Sequence, residues 1–348
     1  MHLSHLETRR HFLKLAGMAG AFWAASPLCA EVAAQNFWSA AQLLKINKAA
    51  LRYNPQGWAA WQNGNQVTAW NAKVRGPALS ITKSLAALAV ARAMSEGWIK
   101  INEKVADTFT EWRSDSRKSR ITVRMLLQQT SGLESGALKL YNQKPADKGR
   151  AALALRVVDE PETVFRYGPA NWEILAELLQ RKLISRKSSL DEFMRNKVLK
   201  PFQLSSPRWR KDPRGVPYLS TGSELTAEEL GRLGKSLIQL LKGKSSAGIK
   251  ATDFAEAIRP SGVNPMFGGG LWRNSPEPRI TIEIEAALSD AQNPPWRFGG
   301  LSKKQPADFV ALIGSSGRRL FLWPSDNKII ARLGASNSWS DREFLDVC

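Results

Sequence analysis

The chain has 348 residues, 43% apolar and 23% charged, a composition that excludes disordered and collagen-like classes and suits one large domain or two sharing an interface. Two cysteines, one of them the last residue Cys348, exclude a disulfide framework. The formal net charge of +19 favours anionic partners. The basic residues are spread along the chain, with Arg208-Trp209-Arg210-Lys211 and Arg117-Lys118 as small clusters, and no aromatic-basic nucleic-acid motif accompanies them. No nucleic-acid partner is therefore expected; anionic envelope polymers remain candidates.

Residues 1–34 read as a signal peptide. Arg9-Arg10 precedes Phe12-Leu13-Lys14, a weakly apolar run follows from Leu15 to Ala25, and small residues close the segment. The arginine pair is the mark of a twin-arginine address, so a periplasmic or secreted location is expected. All three histidines, His2, His5 and His11, fall inside this leader. The mature chain from Gln35 then holds no histidine and one cysteine, which excludes a Ser-His-Asp triad, a Cys-His pair and His- or Cys-rich zinc sites. A hydrolase built on it must activate its nucleophile with a lysine, a tyrosine, a carboxylate or an α-amine.

Helical spacing of Leu43, Leu44, Ile46, Ala49 and Ala50 predicts a helix over residues 38–52. Strand-like pieces at Trp58-Ala60 and Val67-Trp70 flank Asn63-Gly64, a hairpin signal. Gly76-Pro77 breaks the chain, and Ser80 opens a helix-like stretch to Met94 that stops at Gly97. Ile121-Gln129, Ala170-Lys182 and Leu225-Leu241 also read as helices, with Gly132 as the left-handed cap of the first. Strand signals return in Ile280-Ile284, Phe309-Ile313, Leu320-Trp323 and Ile329-Leu333. The fold class expected is α+β: an antiparallel sheet from both chain ends (approximately 35–79 and 262–348), flanked by N- and C-terminal helices, with a helical region (approximately 80–261) inserted. A monomer is expected.

Within Ser80-Ile81-Thr82-Lys83, residues three apart share one helical face, so the Ser80 hydroxyl and the Lys83 amine can meet. At a helix start, free N–H groups and the macrodipole favour developing negative charge. A lysine kept dry among Leu79, Leu85 and Ala86 loses its proton below the ~10.4 of water and can take the serine proton. Short motifs recur by accident, and Ser325-Asp326-Asn327-Lys328 is a second match, after Pro324 in a turn-like segment. The plain alternative for Ser80 is an N-cap with a solvated lysine.

The surrounding blocks decide between these. Ser80-Ile-Thr-Lys-Ser-Leu-Ala, Glu96-Gly97-Trp98-Ile99-Lys100-Ile101, Ile121-Thr122-Val123-Arg124-Met125-Leu126-Leu127 and Thr130-Ser131-Gly132-Leu133 run in an order that resembles the serine β-lactamase-related superfamily. The likeness is to its class C-like branch of esterases, D-aminopeptidases and 6-aminohexanoate-dimer hydrolases, from about Trp58 to the C-terminus. It implies a β-lactamase/transpeptidase-like fold and an acyl-enzyme on Ser80, with no metal or organic cofactor. Phe165-Arg166-Tyr167-Gly168-Pro169-Ala170-Asn171-Trp172 resembles the family's Tyr-x-Asn element. Tyr167 would then shuttle a proton or, if ionised, act as the base. Pro169 takes the usual Asn place, and Asn171, two residues on, is the candidate substitute.

Leu312-Ile313-Gly314-Ser315-Ser316-Gly317-Arg318 resembles the family's Lys/His-Thr-Gly strand. One register aligns Gly314 with that glycine, and the Ser315 N–H then joins the Ser80 N–H as an oxyanion hole. The other puts Ser315-Ser316-Gly317 on the triad. Gly314, Ser316, Gly317, Asn171 and Trp272 are the expected substrate-binding residues, with Trp272 as a wall of an acyl pocket. Neither register leaves a Lys or His where carboxylate-recognising members use one, so an ester or amide is the expected small-molecule substrate. The alternatives are a β-lactamase or penicillin-binding D,D-peptidase, and a non-catalytic envelope-binding homologue.

Overall fold

The computed structural model describes residues 37–288 and 295–348; the leader assigned to residues 1–34 lies outside them. Helix α1 (Ala40–Leu51) starts at Ser39, whose hydroxyl accepts the Gln42 N–H while the Gln42 side chain accepts the Ser39 N–H. Strands β1 (Pro55–Gln62) and β2 (Asn65–Trp70) follow as a hairpin. Its two turn residues, Asn63 and Gly64, both take positive φ, as a tight hairpin requires.

After the short β3 (Arg75–Pro77), a single 3-10 turn (Leu79–Ile81) leads into α2 (Thr82–Ser95). The inserted region continues with α3 (Val123–Gln128), α4 (Lys148–Leu153), α5 (Ala170–Ile184) and α6 (Leu190–Phe193). Strand β4 (Glu224–Thr226) pairs with β3 and opens α7 (Ala227–Leu241), whose capping box joins Thr226 and Glu229. Then come α8 (Ala251–Ala257), β5 (Phe267–Gly268), β6 (Leu271–Arg273), β7 (Ile280–Thr281), α9 (Ile284–Ala287) and β8 (Gly299–Gly300). Strands β9 (Val310–Gly314), β10 (Arg318–Trp323) and β11 (Lys328–Gly334) precede α10 (Asp341–Leu345).

The main sheet has seven antiparallel strands in the order β2-β1-β11-β10-β9-β6-β5. Its centre joins the two ends of the described chain, with Trp58 opposite Arg332 and Ala60 opposite Ile330. Strands β9, β10 and β11 are buried along their whole length, because helices cover both faces of the sheet. Helix α7 reaches one face through its glycines: a Cβ on Gly231 would fall 2.3 Å from the Trp61 ring. Every residue of α2 from Thr82 to Ala91 is buried, the pattern of a core helix rather than a surface one.

Three expectations change. Ile280-Ile284 is a strand only at Ile280–Thr281. It lies off the main sheet and, among the described residues, pairs with Gly299–Gly300 before the chain enters α9. The left-handed cap of α3 is Gln129 (φ 56°) rather than Gly132, because the chain turns at once to present the Gln129 and Thr130 carbonyls to the Arg166 and Glu162 amides. Ser80 sits in the 3-10 turn, ahead of α2 rather than at its first position.

Candidate active site

Ser80 is held from both sides of the chain. Leu79 before it has φ 48°, a left-handed conformation that a γ-branched residue adopts only when its surroundings impose it. The Ala78 N–H donates to Ser223 O at 2.9 Å, and the Thr82 and Ser223 hydroxyls are 2.8 Å apart. The 218–226 segment is thereby laced to the nucleophile turn on either flank of Ser80.

Lys83, in the first turn of α2, donates from Nζ to Ser80 Oγ at 2.8 Å and to Ser220 O at 2.9 Å. Its side chain is fully buried, and its ammonium form is deprived of water. Burial lowers its pKa to about 7; Glu173 nearby works against that fall and Lys148 adds to it. Near neutrality a substantial fraction of Lys83 is the free amine, able to accept the Ser80 proton.

Tyr167 lies across from this pair, with the Lys83 Nζ 5.0 Å from its ring centroid. Two bonds from Gln129 fix its loop: the Gln129 carbonyl accepts the Arg166 N–H, and the Gln129 side chain accepts the Gly168 N–H at 2.9 Å. Gly168 has a steric reason, since a Cβ there would meet Ser135 O at 2.3 Å. Desolvation pushes the Tyr167 phenol up to about 12, and a hydrogen-bonding contact with Ser80 offsets only part of that rise. Of the two roles the family likeness allows, the phenol therefore fits the proton donor and shuttle; a standing phenolate base does not fit this environment.

The third motif reaches Ser80 through Gly314. A Cβ on Gly314 would lie 2.6 Å from Ala78 O and 3.4 Å from the Ser80 amide nitrogen, so only glycine lets the end of β9 pass the nucleophile. Ser315 follows at once and is exposed. Neither the Ser80 nor the Ser315 N–H has a backbone acceptor among the described residues. The Gly314 peptide is anchored from behind, where Arg319 Nη1 donates to Gly314 O at 2.6 Å. In a trans peptide the carbonyl and the following N–H point in opposite directions, so this bond turns the Ser315 N–H away from Arg319.

Other expected site residues go elsewhere. Asn171, expected at the substrate, is buried in α5 and its Oδ1 accepts the Ser131 hydroxyl at 2.5 Å. Pro169 and Asn171 therefore supply no amide to Ser80. Ser316 (φ 62°) and Gly317 (φ 74°) form the tight turn between β9 and β10. The Ser316 hydroxyl donates to Asn337 Oδ1 at 2.6 Å and its amide to Glu285, while Gly317 O accepts from Arg332. These two residues are spent on the turn rather than on a substrate. Trp272 is buried in a cluster with Phe165, Phe267 and Trp296, 6.1 Å from the Tyr167 ring, so it backs the tyrosine rather than walling an open pocket.

The two arginines that follow the third motif, Arg318 and Arg319, are engaged by the protein. Arg319 is buried and paired in two-point fashion with Asp341, at 2.6 and 2.9 Å. Arg318 donates to Pro77 O at 2.6 Å and to Ser315 O at 2.9 Å.

Fold and site together define a serine β-lactamase-related protein. A sequence profile of the Beta-lactamase family matches residues 37–276, and the chain belongs to that family. Members of that family are, as a rule, serine hydrolases. Among solved structures, a beta-lactamase from Mycobacterium bovis is 18% identical over 88% of this chain and 96% of its own, with a TM-score of 0.60. A penicillin-binding protein homologue from Caulobacter crescentus is 16% identical, covering 87% and 94%, with a TM-score of 0.60. A family VIII carboxylesterase is 17% identical, covering 90% and 97%, with a TM-score of 0.59. At such identities the likeness speaks for the fold alone. No curated protein sequence matches the chain.

Sequence reasoning missed Ser220, Glu173, Lys148 and Tyr141. Ser220 acts through a backbone carbonyl, which any residue could supply. Glu173 carried a usable signal, a charge inside the largely apolar run 170–176 that proves to be buried; Lys148, between Asp147 and Arg150, carried none.

Proposed function

We propose that the protein is an exported hydrolase of small carboxylic esters or weakly acidic amides, working through an acyl-enzyme on Ser80. The observation that carries this reading is the 2.8 Å bond between Ser80 Oγ and a buried Lys83 amine. As Ser80 Oγ attacks the substrate carbonyl carbon, its proton passes to the neutral Lys83 amine. The carbonyl oxygen becomes an oxyanion facing the Ser80 and Ser315 N–H groups. When the tetrahedral intermediate collapses, the bond to the leaving group breaks, and that group takes a proton from the Tyr167 phenol, which the Lys83 ammonium restores. Water then attacks the acyl carbon, gives its proton back through Lys83 and Tyr167, and the carboxylic acid leaves as Ser80 regains its hydrogen.

The preference for esters over β-lactams or D-alanyl peptides is supported by the engagement of Arg318 and Arg319 with Pro77, Ser315, Gly314 and Asp341. Leu312 is an apolar, buried residue where carboxylate-binding members carry a cation. The test is intact-mass analysis after a fluorophosphonate probe, alongside turnover of a short p-nitrophenyl ester and of a chromogenic cephalosporin. One adduct on the wild type, none on Ser80→Ala, and ester turnover with little or no cephalosporin turnover is the expected result. Label or ester turnover that survives Ser80→Ala overturns the reading; preferred turnover of the cephalosporin overturns the substrate class. The export component rests on residues 1–34 and is checked by locating a tagged full-length chain with the arginine pair intact or replaced by lysines.

A further inference from the structure

A chain of buried polar groups lies behind Lys83 on the side away from Ser80. The Ser220 carbonyl accepts the Lys83 amine, and the same residue is clamped by Glu173, whose Oε1 accepts both the Ser220 N–H, at 3.1 Å, and the Ser220 hydroxyl. Glu173 is on α5, where every residue from Ala170 to Leu179 is buried. Lys148, in the first turn of α4, brings its Nζ to 3.8 Å from Glu173 Oε1, with both side chains almost wholly out of water. The two helices approach closely because Gly149 follows: a Cβ there would lie 2.3 Å from Glu177 Oε2. A buried pair of opposite charges is costly to form and is not needed to fill a core. Its position beside a catalytic amine gives it a purpose.

We infer that Glu173 and Lys148 are positioning residues for the Ser80–Lys83 couple: Glu173 aims the Ser220 carbonyl at the Lys83 amine, and Lys148 cancels the carboxylate so that it does not hold Lys83 as ammonium. This rests on Lys83 acting as the base of the reaction. Without Lys148, the Glu173 carboxylate would be an uncompensated negative charge in a dry site and would favour the charged lysine. Without Glu173, Lys148 would repel a second ammonium. The opposite signs that Glu173 and Lys148 exert on Lys83 agree with this.

The other groups facing the cluster from each packed element do not replace the pair. From the turn Leu138–Asn142, Tyr141 contacts Ser220, and burial holds its phenol far above the usual range. The 210–220 segment brings Tyr218, whose ring centroid is 3.5 Å from Lys148 Nζ, and Asp212, whose carboxylate accepts the Lys148 backbone N–H at 3.4 Å. Arg210 from the same segment acts on Lys148 and on both tyrosines. Tyr167 completes the ring around Lys83.

The test is the pH dependence of kcat/KM for an ester, and of the fluorophosphonate labelling rate, in three full-length variants. Lys148→Met is expected to move the acid limb up by about one pH unit, with activity at about pH 7 down about fivefold and regained above about pH 9. Glu173→Gln keeps the shape and an acceptor for the Ser220 N–H but removes the charge, and is expected to move the limb down by a similar amount. Lys148→Met/Glu173→Gln leaves neither charge unpaired, so it folds even where a single variant does not, and its limb is expected within about 0.3 unit of the wild type. Limbs that stay put, or two single variants that shift the same way, overturn the inference; so does a double variant displaced by a full unit. Failure of the wild type to be labelled at all would instead overturn the proposed function.

Discussion

Ser80 and Lys83 hydrogen-bond to each other, whereas Ser325 and Lys328, at the same spacing, bond to two separate carboxylates. Ser325 Oγ donates to Asp308 Oδ2 at 2.6 Å, and Lys328 Nζ to Asp326 Oδ2 at 3.2 Å. The first pair spans a 3-10 turn and the start of α2, where residues three apart share a face. The second spans the turn between β10 and β11, with Asn327 at φ 50°, and Lys328 is already the first residue of a strand. Both lysines are buried. What separates them is partner chemistry: a hydroxyl and a carbonyl around Lys83, a carboxylate and the Trp38 ring around Lys328. Spacing alone therefore says little; the backbone frame decides whether the two groups meet.

The largest expected effect breaks the symmetry outright. Ser80→Ala or Lys83→Met is expected to lower kcat/KM for an ester by about 10⁴-fold or more, while Ser325→Ala and Lys328→Met stay within about twofold of the wild type. Equal losses from the two pairs, measured on folded protein, would mean that the site has been misplaced. Next in size, Tyr167→Phe removes the proton donor without moving Lys83, and a kcat loss of about 10²–10³-fold is expected, with the acid limb of the pH profile unmoved. A shifted limb would assign the tyrosine to the base instead.

The pH profile itself sharpens the contrast. Lys83 must be neutral to accept a proton, so kcat/KM should rise about tenfold per pH unit up to pH 7 and flatten above it. With the Tyr167 phenol near 12, the plateau should extend past pH 10. The same shift has a stability sign. Between about 7 and the ordinary lysine value of 10.5, the unfolded chain keeps a proton that the native Lys83 has released. Lys83 therefore makes folding more favourable as pH rises through that window, and its burial costs most below 7. Lys83→Met should lose this component, read as a flatter dependence of denaturant midpoint on pH between 7 and 10.

Much of this was legible in the chain. Asn63-Gly64 announced the β1–β2 hairpin, and the late apolar runs announced β9 to β11, because backbone turn chemistry and burial on both faces leave local marks. Ser80, Lys83, Tyr167 and Gly314 were legible as motif residues. That both chain ends build one sheet was expected, and β1 pairs with β11; the order of strands within it was not legible, since backbone ladder bonds carry no residue preference. The misplacement of Asn171 has a specific cause: Pro169 removes the amide at the usual place, and the helical phase of α5 directs position 171 at Ser131 rather than at Ser80. Ser316 and Gly317 misled because a Ser-Ser-Gly string reads equally well as a motif strand and as the left-handed turn it forms.

The smallest expected effect probes the second lysine alone. Asp326→Asn removes the carboxylate 3.2 Å from Lys328 Nζ but keeps an oxygen acceptor of the same size. Lys328 is then left with the Trp38 ring, 5.1 Å from Nζ, as its main electrostatic partner. Asp326 is about a quarter exposed and water can replace part of what is lost, so the cost is expected near 1 kcal/mol and is read from the denaturant midpoint. Ester turnover should be unaffected, because β10 lies between β11 and β9, the strand whose Gly314 passes Ser80. A loss of turnover exceeding the loss of folded protein would show that the distant pair feeds the site, and the separation drawn between the two Ser-x-x-Lys segments would fall.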